Sequence, residues 1–116
     1  MTTNRELTER AGRAAGIVGR WAQIHQPYGG HWIEGLDTGA RMYWSPLDDD
    51  GDAFRLAVKL NISTHQRFAM VQADFPRIEG ICVTKTICEG VMNDYNKATR
   101  RVIVRAAAEM AQEMDL

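Results

Sequence analysis

Four aspartates in five residues, Asp48-Asp49-Asp50-Gly51-Asp52, form the densest group of oxygen ligands in the chain. Calcium is the chemistry such a group suggests. An EF-hand loop needs oxygen ligands at positions 1, 3 and 5, glycine at 6 and a bidentate glutamate at 12. With Gly51 at position 6, Pro46 falls at position 1 and Ala57 at position 12. With Asp48, Asp50 and Asp52 at 1, 3 and 5, Ala53 stands where glycine is required. Both registers fail. Carboxylates just before an apolar run cap free N–H groups and sit on the positive end of a helix dipole. Asp48, Asp49, Asp50 and Asp52 are therefore read as a helix cap and as half of a structural clasp.

Zinc and nucleophilic chemistry fare no better. His25, His31, Cys82 and Cys88 make a Cys2His2 count, but each pair is spaced wider than the tight Cys-x2–4-Cys knuckle of structural zinc sites. Ser45 and Ser63 are the only serines, and neither lies in a Gly-x-Ser-x-Gly elbow. Cys82 or Cys88 would need the fold to bring a histidine to it. Tyr28-Gly29-Gly30-His31 lacks the lysine and following helix of a phosphate loop. No catalytic residue, metal ligand or cofactor is nominated, and the chain is read as a non-enzyme.

One charge pattern is unusual. Lys97, Arg100, Arg101 and Arg105 come first on a helical stretch, and Glu109, Glu113 and Asp115 come last. That order opposes the helix dipole, which favours acids first and bases last. Either the arginines pair with acids elsewhere, Asp48 to Asp52 first among them, or they form an anion or partner contact at Arg100, Arg101 and Arg105. Trp21, Trp32 and Trp44, one per expected strand, read as core aromatics rather than base-stacking platforms. The acidic stretch around them argues against a phosphate-tracking surface there.

These residues need elements to hold them. Thr3 and Glu6 form a capping box before a helix from Asn4 to Ile17. Leu7, Ala11, Ala14, Ala15 and Val18 share one stripe of it, and Gly16 and Gly19 are stops. A second helix runs from the acidic run to Leu60, with Ala53, Leu56, Ala57 and Leu60 on one stripe and Phe54 and Val58 on another. That much apolar surface predicts burial on more than one side. A third runs from Tyr95 to Met114, capped by Asn93 or Asp94, with Ala98, Val102, Ala106 and Met110 in register. Strand-like segments fall at 21–26, 31–36, 40–44, 66–73 and 81–87. The expectation is an α+β fold of order αβββαββα, a mostly antiparallel sheet of about five strands with three helices, sandwich-like.

The length of 116 residues fits one domain, 1–116. A hydrophobic content of 45% excludes disorder, and 14 Lys plus Arg against 15 Asp plus Glu leave no global pull toward nucleic acid or anionic membrane. No secretory leader or membrane-spanning run is found, and two cysteines make no disulfide scaffold, so a reducing cytoplasm is expected.

Residues 44–60, WSPLDDDGDAFRLAVKL, resemble the WNPL-x-DDGDALRLAVKL signature of small bacteriophage- and prophage-encoded proteins. Residues 98–110, ATRRVIVRAAAEM, resemble their ATRRAIVRAAAEI helix, and 6–17 fit their usual start. The domain is similar to the phage ABA-sandwich type, NinX-like proteins of unknown function. Ser45 stands where that pattern has asparagine, which weakens a turn or cap before Pro46. The resemblance brings no catalytic residues. It implies a phage accessory protein in the cytoplasm of a bacterial host that acts by binding a host or phage protein. The alternative is a nucleic-acid-associated regulator using the basic first half of the last helix, and a third reading is a thiol enzyme using Cys82 or Cys88. The oligomeric state stays open.

Overall fold

The computed structural model describes residues 3–25, 32–39, 43–76, 84–90 and 94–113. Helix α1 (Asn4–Ala15) starts where Thr3 Oγ1 accepts the Glu6 N–H at 3.1 Å. It stops at Gly16, whose φ of 74° lets the Gly16 and Ile17 N–H groups donate back to the Arg13 and Gly12 carbonyls. Glycine adopts that left-handed turn without a Cβ clash. The helix ends at Ala15, two residues before the expected Ile17, and stops at Gly16, one of the two expected stops. Val18, expected on the helix stripe, therefore lies beyond the helix and is 88% exposed.

Strands β1 (Arg20–His25), β2 (Trp32–Asp37) and β3 (Tyr43–Trp44) form an antiparallel sheet in that order. They coincide with the first three expected strands; residues 26–31 and 40–42 lie outside the described residues. The chain leaves β3 through Ser45 and Pro46 into α2 (Asp50–Leu60). Asp49 caps α2, its carboxylate accepting the Asp52 N–H at 2.8 Å. Asn61 ends it with φ 58°, and Ile62 donates back to the Ala57 carbonyl at 2.8 Å.

The second half of the chain corrects the strand count. Strands β4 (Ser63–Arg67), β5 (Met70–Pro76) and β6 (Thr84–Gly90) form a second antiparallel sheet in that order. There are thus six described strands in two sheets of three, not one sheet of about five. The expected strand 66–73 straddles the hairpin turn at Phe68 and Ala69. That turn uses Ala69 at φ 62°, with no glycine, asparagine or proline to announce it. β4 is polar and exposed along its whole length, so it carries no apolar alternation to read.

Helix α3 (Tyr95–Glu113) begins where the Asp94 carboxylate accepts the Lys97 N–H at 3.0 Å. It is the centre of the molecule. Val102, Val104, Ala106 and Ala107 have no exposed surface, and Ala98 and Met110 are also buried. Burial of each valine or larger apolar chain contributes about 1.5–3 kcal/mol. The inner face of β5 (Val71, Ala73 and Phe75) packs in the same core. α1 lies on the β6 side of α3 and α2 on the β4 side. α2 buries Ala53 and Leu56 but leaves Phe54 68% and Val58 65% exposed. The expectation of a helix buried on more than one side is therefore overturned: among the described residues, α3 and the core cover one flank of α2 only.

Candidate functional site

The basic half of α3 divides between two partners on opposite sides. Arg100, with its side chain 18% exposed, points to α2. Its Nε donates to the Leu47 carbonyl at 2.9 Å, and its Nη1 meets Asp50 Oδ1 at 2.7 Å. Arg101 and Arg105 point to β6 instead. Arg101 Nε donates to Glu89 Oε1 at 3.0 Å, and its Nη1 donates to Asn4 Oδ1 at 3.0 Å. Arg105 Nη1 binds Glu89 Oε2 and donates to the Cys88 carbonyl at 2.9 Å. Of the three arginines for which the acidic turn was one of two expected partners, only Arg100 meets it. The reversed charge order on α3 is offset by these tertiary partners rather than by the helix itself.

The acidic turn has divided duties. Asp49 caps α2, and Asp50 holds Arg100. Asp52 accepts the Ser45 N–H at 3.0 Å and pairs with Arg55 at 2.7 Å. Asp48 lies 3.1 Å from Ser45 Oγ. That hydroxyl is buried and also lies 2.6 Å from the Glu34 carbonyl. Its single proton faces two acceptors, so Ser45 joins β2, β3 and the start of α2.

Other sequence candidates are scattered. Ser63 is exposed on β4, and Cys88 is exposed on β6, opposite Gln72 in register. Trp44 packs against the core, and Trp21 is half-buried opposite Leu36. His31, Cys82, Asn93, Met114 and Asp115 lie outside the described residues, as do the side chains of His25, Trp32 and Glu113. Among the described residues no helix is long and apolar enough to cross a membrane.

Arg101 and Arg105 do come together with a residue that sequence reasoning passed over. With Arg10 of α1 they line a cleft of about 470 Å³, joined by Glu109 and Gln112, with Ile87 of β6 in its wall. Arg10 is half-buried and makes no hydrogen bond or ion pair with another described residue. It also borders a neighbouring hollow of about 520 Å³ that contains Glu6, Glu9 and Arg13. The surroundings are thus of mixed sign, with three guanidinium groups at their centre. The signal for Glu89 was present in the sequence: on β6 it shares a face with Ile87, so an acid points where an apolar residue is expected. The expected strand ended at Ile87, two positions before Glu89, so that alternation could not be seen.

Comparison with protein-family models, with curated proteins and with solved structures finds no match to this chain.

Proposed function

We propose that this chain is a small accessory protein of phage or prophage origin that works in the bacterial cytoplasm by binding another protein at the α1–α3 cleft. The observation that carries the reading is the state of three guanidinium groups. Arg101 and Arg105 are held by Glu89 before any partner arrives, and Arg10 stands beside them without a partner among the described residues. Donors held in place lose less freedom on binding than mobile ones. Arginine also presents planar, forked donors that fit carboxylates of an acidic segment. The resemblance of residues 44–60 and 98–110 to phage signatures, and helices layered on a sheet, support a sandwich-type phage domain.

A protein partner suits the rim better than a nucleic acid does. Glu6, Glu9 and Glu109 surround the arginines, and each would face phosphates unfavourably. Tracking a nucleic-acid backbone needs a stripe of uncompensated cations. The commitment of Ser45 to structural bonds supports a binding role over serine-based catalysis.

The test compares the full chain with Arg10→Glu as bait in extract of prophage-bearing bacteria. A stoichiometric protein should be retained by the wild type and weakened about tenfold or more, ~1.4 kcal/mol, by the charge reversal. A mobility shift on duplex or single-stranded nucleic acid is the second arm. Steep weakening with salt, lost on replacing Arg101 and Arg105, would overturn the proposal in favour of the nucleic-acid regulator.

A further inference from the structure

The fold treats the two edges of its second sheet differently. On the β6 side, Arg101 and Arg105 reach over the strand to Glu89 and the Cys88 carbonyl. On the other side, all five residues of β4 are exposed, and among the described residues the strand pairs only with β5. The Tyr95 hydroxyl, 3.4 Å from the Arg67 carbonyl, touches one end of it. An uncovered edge is a row of unpaired N–H and C=O groups, commonly blunted by lysine, proline or a bulge. β4, Ser63-Thr64-His65-Gln66-Arg67, has no lysine or proline, its one permanent charge is Arg67 at the hairpin end, and its pairing with β5 runs residue for residue without a bulge. Beside this edge, α2 exposes Phe54 and Val58 along a groove of about 530 Å³ whose wall includes Thr64.

We infer that this edge is an interface with a second copy of the chain, β4 pairing antiparallel with β4 across a two-fold axis perpendicular to the sheet. Self-complementarity identifies the occupant. Such an axis makes two copies of one strand antiparallel and joins the two sheets into one of six strands. It also keeps both helical layers on the same side, so α2 meets its own copy running in the opposite direction. The charges of α2 are polarised along its length, with Asp50 and Asp52 in the first turn and Lys59 in the last. Antiparallel packing sets the acidic end of one helix against the basic end of the other. Phe54 and Val58 of both copies then close over the strand junction. A parallel arrangement would bring like ends together.

The patch is modest. β4 is about 17 Å long and α2 about 16 Å, which falls short of the ~800 Å² per partner of a standard interface. The dimer therefore exchanges with monomer in the micromolar range. The Arg10–Arg101–Arg105 cleft lies on the far side of α3 and stays open, so this inference goes beyond the proposed function and does not rest on it.

Sedimentation velocity from about 1 to 500 µM brackets that range. Hydrogen exchange at both ends of the series reads the β4 amides. The mass should double with concentration while the amides of Ser63–Arg67 gain protection. Phe54→Asp, a change at an exposed position, should weaken the dimer about tenfold or more with an unchanged circular-dichroism spectrum. A monomer throughout, a dimer indifferent to Phe54→Asp, or a dimer without added β4 protection would each overturn the inference. A monomer that still captures a protein through Arg10 would leave the proposed function standing while refuting this one.

Discussion

Replacing Glu89 by alanine removes the one acid that holds two α3 arginines to β6. The carboxylate side chain is 19% exposed and accepts from Arg101 Nε at 3.0 Å and from Arg105 Nη1. Charge-assisted bonds of this kind contribute about 1.5–3 kcal/mol each. The two guanidinium groups are 35% and 36% exposed, however, so water screens them once the acid is gone. Discounting the pair by about half leaves a loss of roughly 1.5–3 kcal/mol for Glu89→Ala. Asn4 and the Cys88 carbonyl retain one bond to each arginine, which keeps the cost at the lower end. For a chain of this length about 3–5 °C of Tm accompanies each kcal/mol, so Tm should fall by roughly 5–15 °C. Urea unfolding followed by circular dichroism should show the midpoint falling with the slope unchanged, as a pure stability change requires. Glu89→Gln, which keeps the shape and one acceptor oxygen, should cost about half as much. A double-mutant cycle with Arg105→Ala should return a coupling of about 1 kcal/mol. Stability of Glu89→Ala within about 0.5 kcal/mol of wild type would refute the reasoning, because Glu89 would then be an ordinary surface acid.

Two further predictions concern the junction between the two halves of the chain. Ser45→Ala leaves the Glu34 carbonyl without its 2.6 Å donor in a buried setting, so unfolding should show a loss of about 1–3 kcal/mol. A wild-type midpoint would mean that the hydroxyl is not a structural bond. Gly35→Ala should be worse tolerated, because its Cβ would stand 2.6 Å from the Trp44 carbonyl oxygen and 3.0 Å from Ser45 Cβ. The expected cost is about 2 kcal/mol or more, and unchanged stability would contradict the close approach of β2 and β3.

The helices were legible because their signals are local. Thr3, Gly16, Asp49 and Asp94 act on neighbours within four residues, so a cap or stop can be recognised without knowing the fold. The second sheet was less legible for an equally physical reason. Strands are recognised by alternation against a buried face, and β4 has none to show. Its turn achieves a left-handed residue with Ala69, a choice that tertiary context enforces and local propensity does not. The α2 error has the same origin in reverse. Phe54 and Val58 are the apolar residues that usually mark burial, yet nothing among the described residues covers them.

The arginine cluster shows where a charge pattern stops being informative. A base-first helix announces that its charges need partners, because the dipole penalises that order by about 0.3–1 kcal/mol per exposed charge. It does not say which acids supply them. Proximity in composition favoured the conspicuous run at Asp48 to Asp52, and one arginine does go there. The other two go to a lone glutamate because spacing on the helix sends them to another side. Arg101 and Arg105 are four apart and share a face, whereas Arg100 is offset by about 100° from Arg101. A single helix can therefore tie α2 down with one residue and brace a cleft with the next two. Arg10 enters that cleft from a different element, with an intervening sequence of some ninety residues. No spacing rule reaches that far, so the grouping that carries the proposed function becomes visible only when α1 is packed against α3.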